Sequence, residues 1–158
     1  MQSPPRPMRR QEREITDPAG IDDILARATV LCLSLRDEPA PYVIPVSFGH
    51  EPGTLFVHSA PRGTKIDLLR ADSRVGFCAW VDEALVTGET ACDCGVRAAS
   101  VSGTGTARLV TDPREKLRGL DAIMRHYGQP APVYKPEVLA RTTLIAISLD
   151  TLRGKRIG

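Results

Sequence analysis

The segment Phe56–Leu69, FVHSAPRGTKIDLL, gathers residue types that could do chemistry. His58 ends an apolar strand pattern, and Ser59, Arg62, Thr64 and Lys65 follow it closely. Pro61 and Gly63 mark a loop, and Ile66, Leu68 and Leu69 supply the apolar residues of a helix. Cations at a helix entrance are disfavoured by about 0.3–1 kcal/mol each, because the backbone is already partly positive there. A bound anion reverses that sign, held by free N–H groups, by the Ser59 and Thr64 hydroxyls and by Arg62 and Lys65. Phosphate is the natural candidate. The alternative is that both cations bend into solvent. His58 is the best candidate for acid–base or ligand chemistry, since imidazole titrates near neutrality, although a single histidine is more often structural.

Two other stretches bear on the same question. YVIPVSF places Pro45 in mid-strand, where proline cannot donate to a ladder. It marks an edge, a bulge, or backbone turned toward something other than a neighbouring strand. The glycines of SVSGTGTA imply close approach of another backbone or a flat ligand, or relief of crowding where a barrel strand bends. Cys92 and Cys94 in ACDCG lack a second cysteine or histidine pair, so no metal site is expected. Cys32 and Cys78 read as buried thiols, His50 and His126 as surface residues, and Trp80 as core.

The elements that must position these residues follow from periodicity. Asp17-Pro18 is an N-cap with proline at the first helical position, followed by Ile21, Ile24, Leu25 and Ala28 at helical spacing. VLCLSL, YVIPVSFG, TLFVHS, RVGFCAWV, SVSGTGTARLV and TLIAISL alternate as strands separated by turn residues. Residues 82–97 read as a long excursion without pattern. Asp112-Pro113 opens a helix with a capping-box acid at Glu115 and a stripe of Leu117, Leu120, Ile123, Met124 and Tyr127, ended by Gly128. Six strands that do not alternate with helices predict a mainly β, α+β fold: a six-stranded antiparallel barrel or meander flanked by three helices.

The chain of 158 residues predicts a flexible segment over 1–14 and a single domain over 15–158. A net charge of +2 makes no field that argues for nucleic acid. No apolar run approaches the roughly 20 residues that span a bilayer, and no apolar stretch follows the basic N-terminus. With no disulfide framework among four cysteines, a cytoplasmic protein away from membranes is expected.

In order, MRRQEREITD, YVIPVSFG, LFVHSAPRGTKIDLL, GETACD, SVSGTG and LRGKR resemble the nitroimidazole-resistance (Nim-type) proteins. These belong to the pyridoxamine 5′-phosphate oxidase-like flavin-binding split-barrel superfamily, and the resemblance runs from about Met8 to Arg156. It implies a split barrel and a homodimer, with FMN, or FAD in its place, at the subunit interface. It also implies that Ser59, Arg62 and Lys65 hold the flavin phosphate, while Ile44, Pro45, Val46, Ser47 and Phe48 turn their backbone to the ring. His58 matches the histidine near the flavin that acts in catalysis, and Ser100 approaches from the partner. The activity implied is a reductase that takes electrons from NAD(P)H and passes them to a small oxidised molecule such as a nitroaromatic. Alternatives are a non-catalytic flavin- or haem-binding redox protein, a deazaflavin-dependent oxidoreductase on the same barrel, and an interaction module with an empty groove. Two departures stand out. Ala98 and Ala99 replace an aromatic residue and an acid, which opens the pocket on the partner side, and Cys94 is not part of the pattern.

Overall fold

The computed structural model describes residues 7–158. Residues 1–6 of the expected flexible segment 1–14 thus lie outside the described residues. Within its remainder, Gln11–Arg13 form a 3-10 turn and Glu14 begins a strand. The elements are β1 (Glu14–Ile15), α1 (Pro18–Arg27), β2 (Leu31–Leu35), β3 (Tyr42–Val46), β4 (Gly49–Glu51), β5 (Thr54–Ser59), α2 (Thr64–Ala71), β6 (Arg74–Val86), β7 (Gly95–Leu109), α3 (Pro113–His126), α4 (Pro136–Ala140) and β8 (Thr143–Ile157).

All strand pairs are antiparallel. They form one sheet in the order β3-β2-β6-β7-β8-β5-β4, with β1 added to β8. The two end strands, β3 and β4, are joined by Ser47-Phe48 and do not pair. The barrel is therefore split, as expected, but it has eight strands rather than six. YVIPVSFG is broken into β3 and β4, because the chain leaves one edge of the sheet there and joins the other. β1 escaped notice because two residues carry no period. They are strand only because Ile15 pairs with Gly154.

Alternation along β2 sends Leu31, Leu33 and Leu35 into the barrel, where Val75, Phe77, Ala79, Val81 and Val101 meet them. Buried Ile21, Ile24 and Leu25 of α1 cover the same core. A second cluster lies outside the barrel, where Leu120 and Ile123 of α3 pack on Phe56 and Leu144. Asp17 caps α1 through Ala19 N and Gly20 N, and Asp112 caps α3 through Glu115 N. Glu115 does not complete a capping box; its carboxylate pairs with Arg108 instead. A capping box does form at Thr90 and Asp93 in the GETACD segment.

Residues 82–97 are not an unpatterned excursion. They are largely a hairpin arm in which Ala84, Leu85 and Val86 pair with Arg97, Val96 and Gly95. Neither face of the arm is buried, so no alternation was selected, and Leu85 is 84% exposed. Trp80 is not core either: it points outward, 39% exposed. His126 is not a surface residue. Its Nε2 lies 2.7 Å from the Ala28 carbonyl oxygen and its ring packs 4.5 Å from that of Phe48. His50 is likewise half-buried, with Nε2 at 3.7 Å from an Asp22 carboxylate oxygen. Cys32 and Cys78, expected to be buried, are half-buried and directly paired across β2 and β6.

Candidate functional site

The loop after β5 builds a cationic corner. Gly63 adopts φ +121, a conformation that favours glycine, and turns the chain into α2 with no side chain capping the helix. Ser59 and Arg62 lie in the approach, and Lys65 follows in the first turn. Asp67, the first acid inside, pairs with Arg70 at 3.7 Å and leaves Lys65 alone. Among the described residues no carboxylate bonds to Lys65. Half-buried, it titrates below the ordinary lysine range because burial disfavours its charge. Arg62 and Lys65 thus bracket the entrance of α2, which no side chain caps.

His58 faces away from the barrel interior. Leu55 and Val57 point into the main core, and Phe56 points into the cluster under α3. By strand alternation His58 shares the side of Phe56. Although His58 is exposed, the atoms packed around its ring partly desolvate it, and this first and the charge of Lys65 second push its pKa below the usual histidine value. The imidazole is therefore neutral at neutral pH, suited to giving or taking a hydrogen bond. Among the described residues nothing bonds to it.

The β3–β4 corner reaches the same place by topology. Gly49 pairs with Phe56, two residues before His58, and the ladder ends there, with Ser47 two residues further back along the chain. Pro45 lies exposed on β3, which among the described residues pairs only with β2, so the edge-strand reading explains it without a ligand. Ile44 and Val46 pack against the barrel core. Phe48 is fully buried, and its N–H donates to Tyr127 Oη at 3.1 Å. Phe48 thus anchors the turn, while Ser47 and Pro45 are the exposed members of the set.

Ser100 does not join them within one chain. It pairs with Lys155, whereas His58 pairs with Leu144, near the opposite end of β8. That separation is on the order of 35 Å along the strand at about 3.3 Å per residue. The Ser100 hydroxyl donates to the Lys155 carbonyl oxygen at 3.3 Å. Gly103 and Gly105 of β7 serve packing: a Cβ on Gly103 would lie 2.2 Å from the Thr151 carbonyl oxygen, and one on Gly105 would lie 2.6 Å from that of Ser148.

Sequence reasoning missed a cavity of about 170 Å³ on the other side of His58, lined with Leu120, Ile123, Met124, Val138, Leu139 and others. A wider groove of about 640 Å³ crosses the outer sheet face near Arg36, Arg74 and Thr104. Its arginines are engaged, Arg74 closely and Arg36 at 3.8 Å, by Asp72. Among the described residues no three His, Cys, Asp or Glu side chains come together as a metal site, and no helix is long and apolar enough to cross a membrane.

Over residues 17–156 the sequence matches the pyridoxamine 5′-phosphate oxidase family. The chain belongs to that family. Among solved relatives of this pyridoxamine 5′-phosphate oxidase family member is a candidate 5-nitroimidazole antibiotic resistance protein from Bacteroides thetaiotaomicron. It is 30% identical over 90% of this chain and 86% of that one, with a TM-score of 0.81. A FAD and heme binding protein from Mycobacterium smegmatis shares the fold at 18% identity, 90% and 72% coverage and a TM-score of 0.79. A flavocytochrome from Azotobacter vinelandii does so at 19% identity, 96% and 72% coverage and a TM-score of 0.77. No curated protein matches the sequence.

Proposed function

We propose that this chain is a homodimeric flavin-dependent oxidoreductase, with FMN as the preferred cofactor and NAD(P)H as electron donor. The carrying observation is Lys65: a half-buried cation without a carboxylate partner among the described residues, at a helix entrance that no side chain caps. The donor set there fits a phosphate monoester. Arg62 and Lys65 supply charge, Ser59 and Thr64 supply hydroxyls, and the first turn of α2 supplies N–H groups. Descriptions of related structures as flavin-binding support the same reading.

A bound flavin would supply two-electron redox chemistry between a reduced nicotinamide and a small oxidised molecule such as a nitroaromatic. The chain does the rest. Lys65 and Arg62 fix the phosphate, and Ser47 and Pro45 offer the edge of β3 to the ring. His58, neutral and unbonded among the described residues, orients the acceptor through a hydrogen bond and relays a proton from solvent. Because its pKa is depressed, His58 holds little proton of its own at neutral pH.

The second subunit is part of the reading. Ser100 lies too far along β8 to serve the site of its own chain, so it serves that of a partner. Val43 at 60% exposure, Trp80, Leu85 and Val96 give the outer sheet face and hairpin arm the apolar surface for that contact. Cytoplasmic residence is part of the same proposal.

The test is to purify the chain, record its visible spectrum and titrate FMN and FAD. A colourless protein that takes up neither removes the reading. A haem- and flavin-binding carrier is the second reading, favoured by the names of two related structures. It would give a Soret band and no turnover with reduced nicotinamide.

A further inference from the structure

Cys32 and Cys78 stand directly opposite each other on β2 and β6. Their strand neighbours Leu33 and Phe77 point into the barrel core, so alternation puts both thiols on the outer face of the sheet. Both are free and half-buried, which leaves them open to small solutes.

The neighbouring pair gives the spacing. Ser34 opposite Gly76 comes next on the same face, and the ladder keeps one register from Cys32–Cys78 to Leu35–Val75. Close and wide pairs alternate along an antiparallel ladder, so pairs two residues apart are of the same kind. A Cβ added to Gly76 would lie 3.8 Å from Ser34 Cβ. Disulfides hold their Cβ atoms about 3.5–4.5 Å apart, with a mean of about 3.8 Å. The two thiols also hydrogen-bond to each other. Small residues surround them, with Ser34 and Gly76 on one side and Ser102 across β7 from Cys78. Cys92 and Cys94 form no such pair. They lie two residues apart at a 3-10 turn, and Cys94 Sγ accepts from Gly88 N at 3.4 Å.

We propose that Cys32 and Cys78 are a redox-active dithiol, which hydrogen peroxide closes to a cross-strand disulfide within one chain. One thiolate attacks the peroxide, the O–O bond breaks, and a sulfenic acid forms. The other thiolate then displaces hydroxide from that sulfur, so an S–S bond forms as the S–O bond breaks. In sum the two thiols lose two electrons and two protons, and the peroxide becomes two waters. The new bond ties β2, and with it the edge strand β3, to β6. Cys78 must be a thiolate in one step or the other. Burial first, then the charge and hydrogen bond of Cys32, hold its thiol above the ordinary range, so closure is slow near neutrality and quickens as the pH rises. The site uses no residue of the cationic corner and stands whether or not flavin binds.

Peroxide treatment of the full-length Cys92→Ser/Cys94→Ser protein tests this, read by intact mass under denaturing, non-reducing conditions and by peptide mapping. The chain should become two hydrogens lighter at monomer mass and lose both thiols together. One linked peptide pair should carry Cys32 and Cys78, and dithiothreitol should restore the thiols. The rate should rise up to about tenfold per pH unit above neutrality, as the thiolate fraction does. Adding Cys32→Ser should leave Cys78 to gain oxygen instead, and Cys78→Ser serves in its place should that variant not fold. Untreated wild-type protein, with all four cysteines, should give the same linked peptides under peroxide. Oxygen gained at one cysteine while the other stays a thiol, a link between two chains, or two unreacted thiols would each overturn the proposal. So would closure no faster in the folded protein than in urea, since the fold would then not position the pair.

Discussion

Lys65 and His58 are electrostatically coupled: His58 titrates below the ordinary histidine range through burial first and the Lys65 charge second. The Lys65 charge is thus felt at the imidazole, although one belongs to the entrance of α2 and the other to β5. Occupation of the corner by an anion would offset the Lys65 charge, and it would do so at the residue that also faces the apolar cavity.

Lys65→Ala is the direct test of the corner. Loss of one charge-assisted hydrogen bond should cost about 1.5–3 kcal/mol of FMN affinity, a factor of about 10–150. The unliganded variant should be no less stable than wild type, because the mutation removes a partly desolvated cation with no carboxylate partner among the described residues. Fluorescence titration and thermal melts without FMN measure the two effects separately. A variant that loses stability but binds FMN normally would mark Lys65 as structural.

The pH dependence has a definite sign. His58 and His50 are both held below their ordinary value of 6.5, with burial the main cause in each. The folded protein therefore binds fewer protons than the unfolded chain between the folded pKa values and 6.5, and stability rises with pH across that window. Urea unfolding midpoints should be level above about pH 7.5 and fall as the pH drops below 6.5, with a smaller fall in His58→Gln. Asp72 and Glu115, held down by bonds to Arg74 and Arg108, add their losses only in the carboxylate range. A midpoint that climbs on acidification to pH 5.5 would contradict the assignment.

Gly49 locks β4 against α3. A Cβ there would lie 2.5 Å from Ile123 N and 2.6 Å from the Ala122 carbonyl carbon, both backbone atoms that cannot swing aside. Gly49→Ala should destabilise the protein by about 1–3 kcal/mol or more, read from urea midpoints at constant m-value. Because Ser47 and His58 flank this seat, FMN affinity should fall as well.

Tyr127→Phe tests the turn between the two sheet edges. Tyr127 Oη accepts from Phe48 N at 3.1 Å and donates to the Thr29 carbonyl oxygen at 2.8 Å. Its loss leaves the Phe48 N–H without its partner and should cost about 1–3 kcal/mol. Amide exchange at Phe48 should accelerate, while exchange at Leu33 in the barrel core should follow global stability only.

Charge placed on the exposed apolar arm tests the second subunit. Trp80→Lys combined with Leu85→Lys should shift the mass measured by light scattering from dimer to monomer. FMN affinity should fall with it, since Ser100 could no longer reach a partner's site. A monomer that keeps full FMN affinity would place the whole flavin site within one chain.

The sequence by itself determined what depends on near neighbours along the chain. Asp17-Pro18 and Asp112-Pro113 start helices because an N-cap acts within three residues. Leu31, Leu33 and Leu35 declare a strand because alternation is local. The loop from Ser59 to Lys65 declared its cations and its helix for the same reason. Tertiary structure alone decided whatever depends on partners tens of residues away. Ile15 becomes strand by meeting Gly154, and YVIPVSFG breaks where the chain passes from one edge of the sheet to the other. His126 is drawn inward by Ala28 and Phe48. Ser100 is set far from His58 by the length of β8, and the cavity beside His58 exists because α3 and α4 close over the end of β5. Periodicity reports which face of an element is apolar; only the packed chain decides what that face meets.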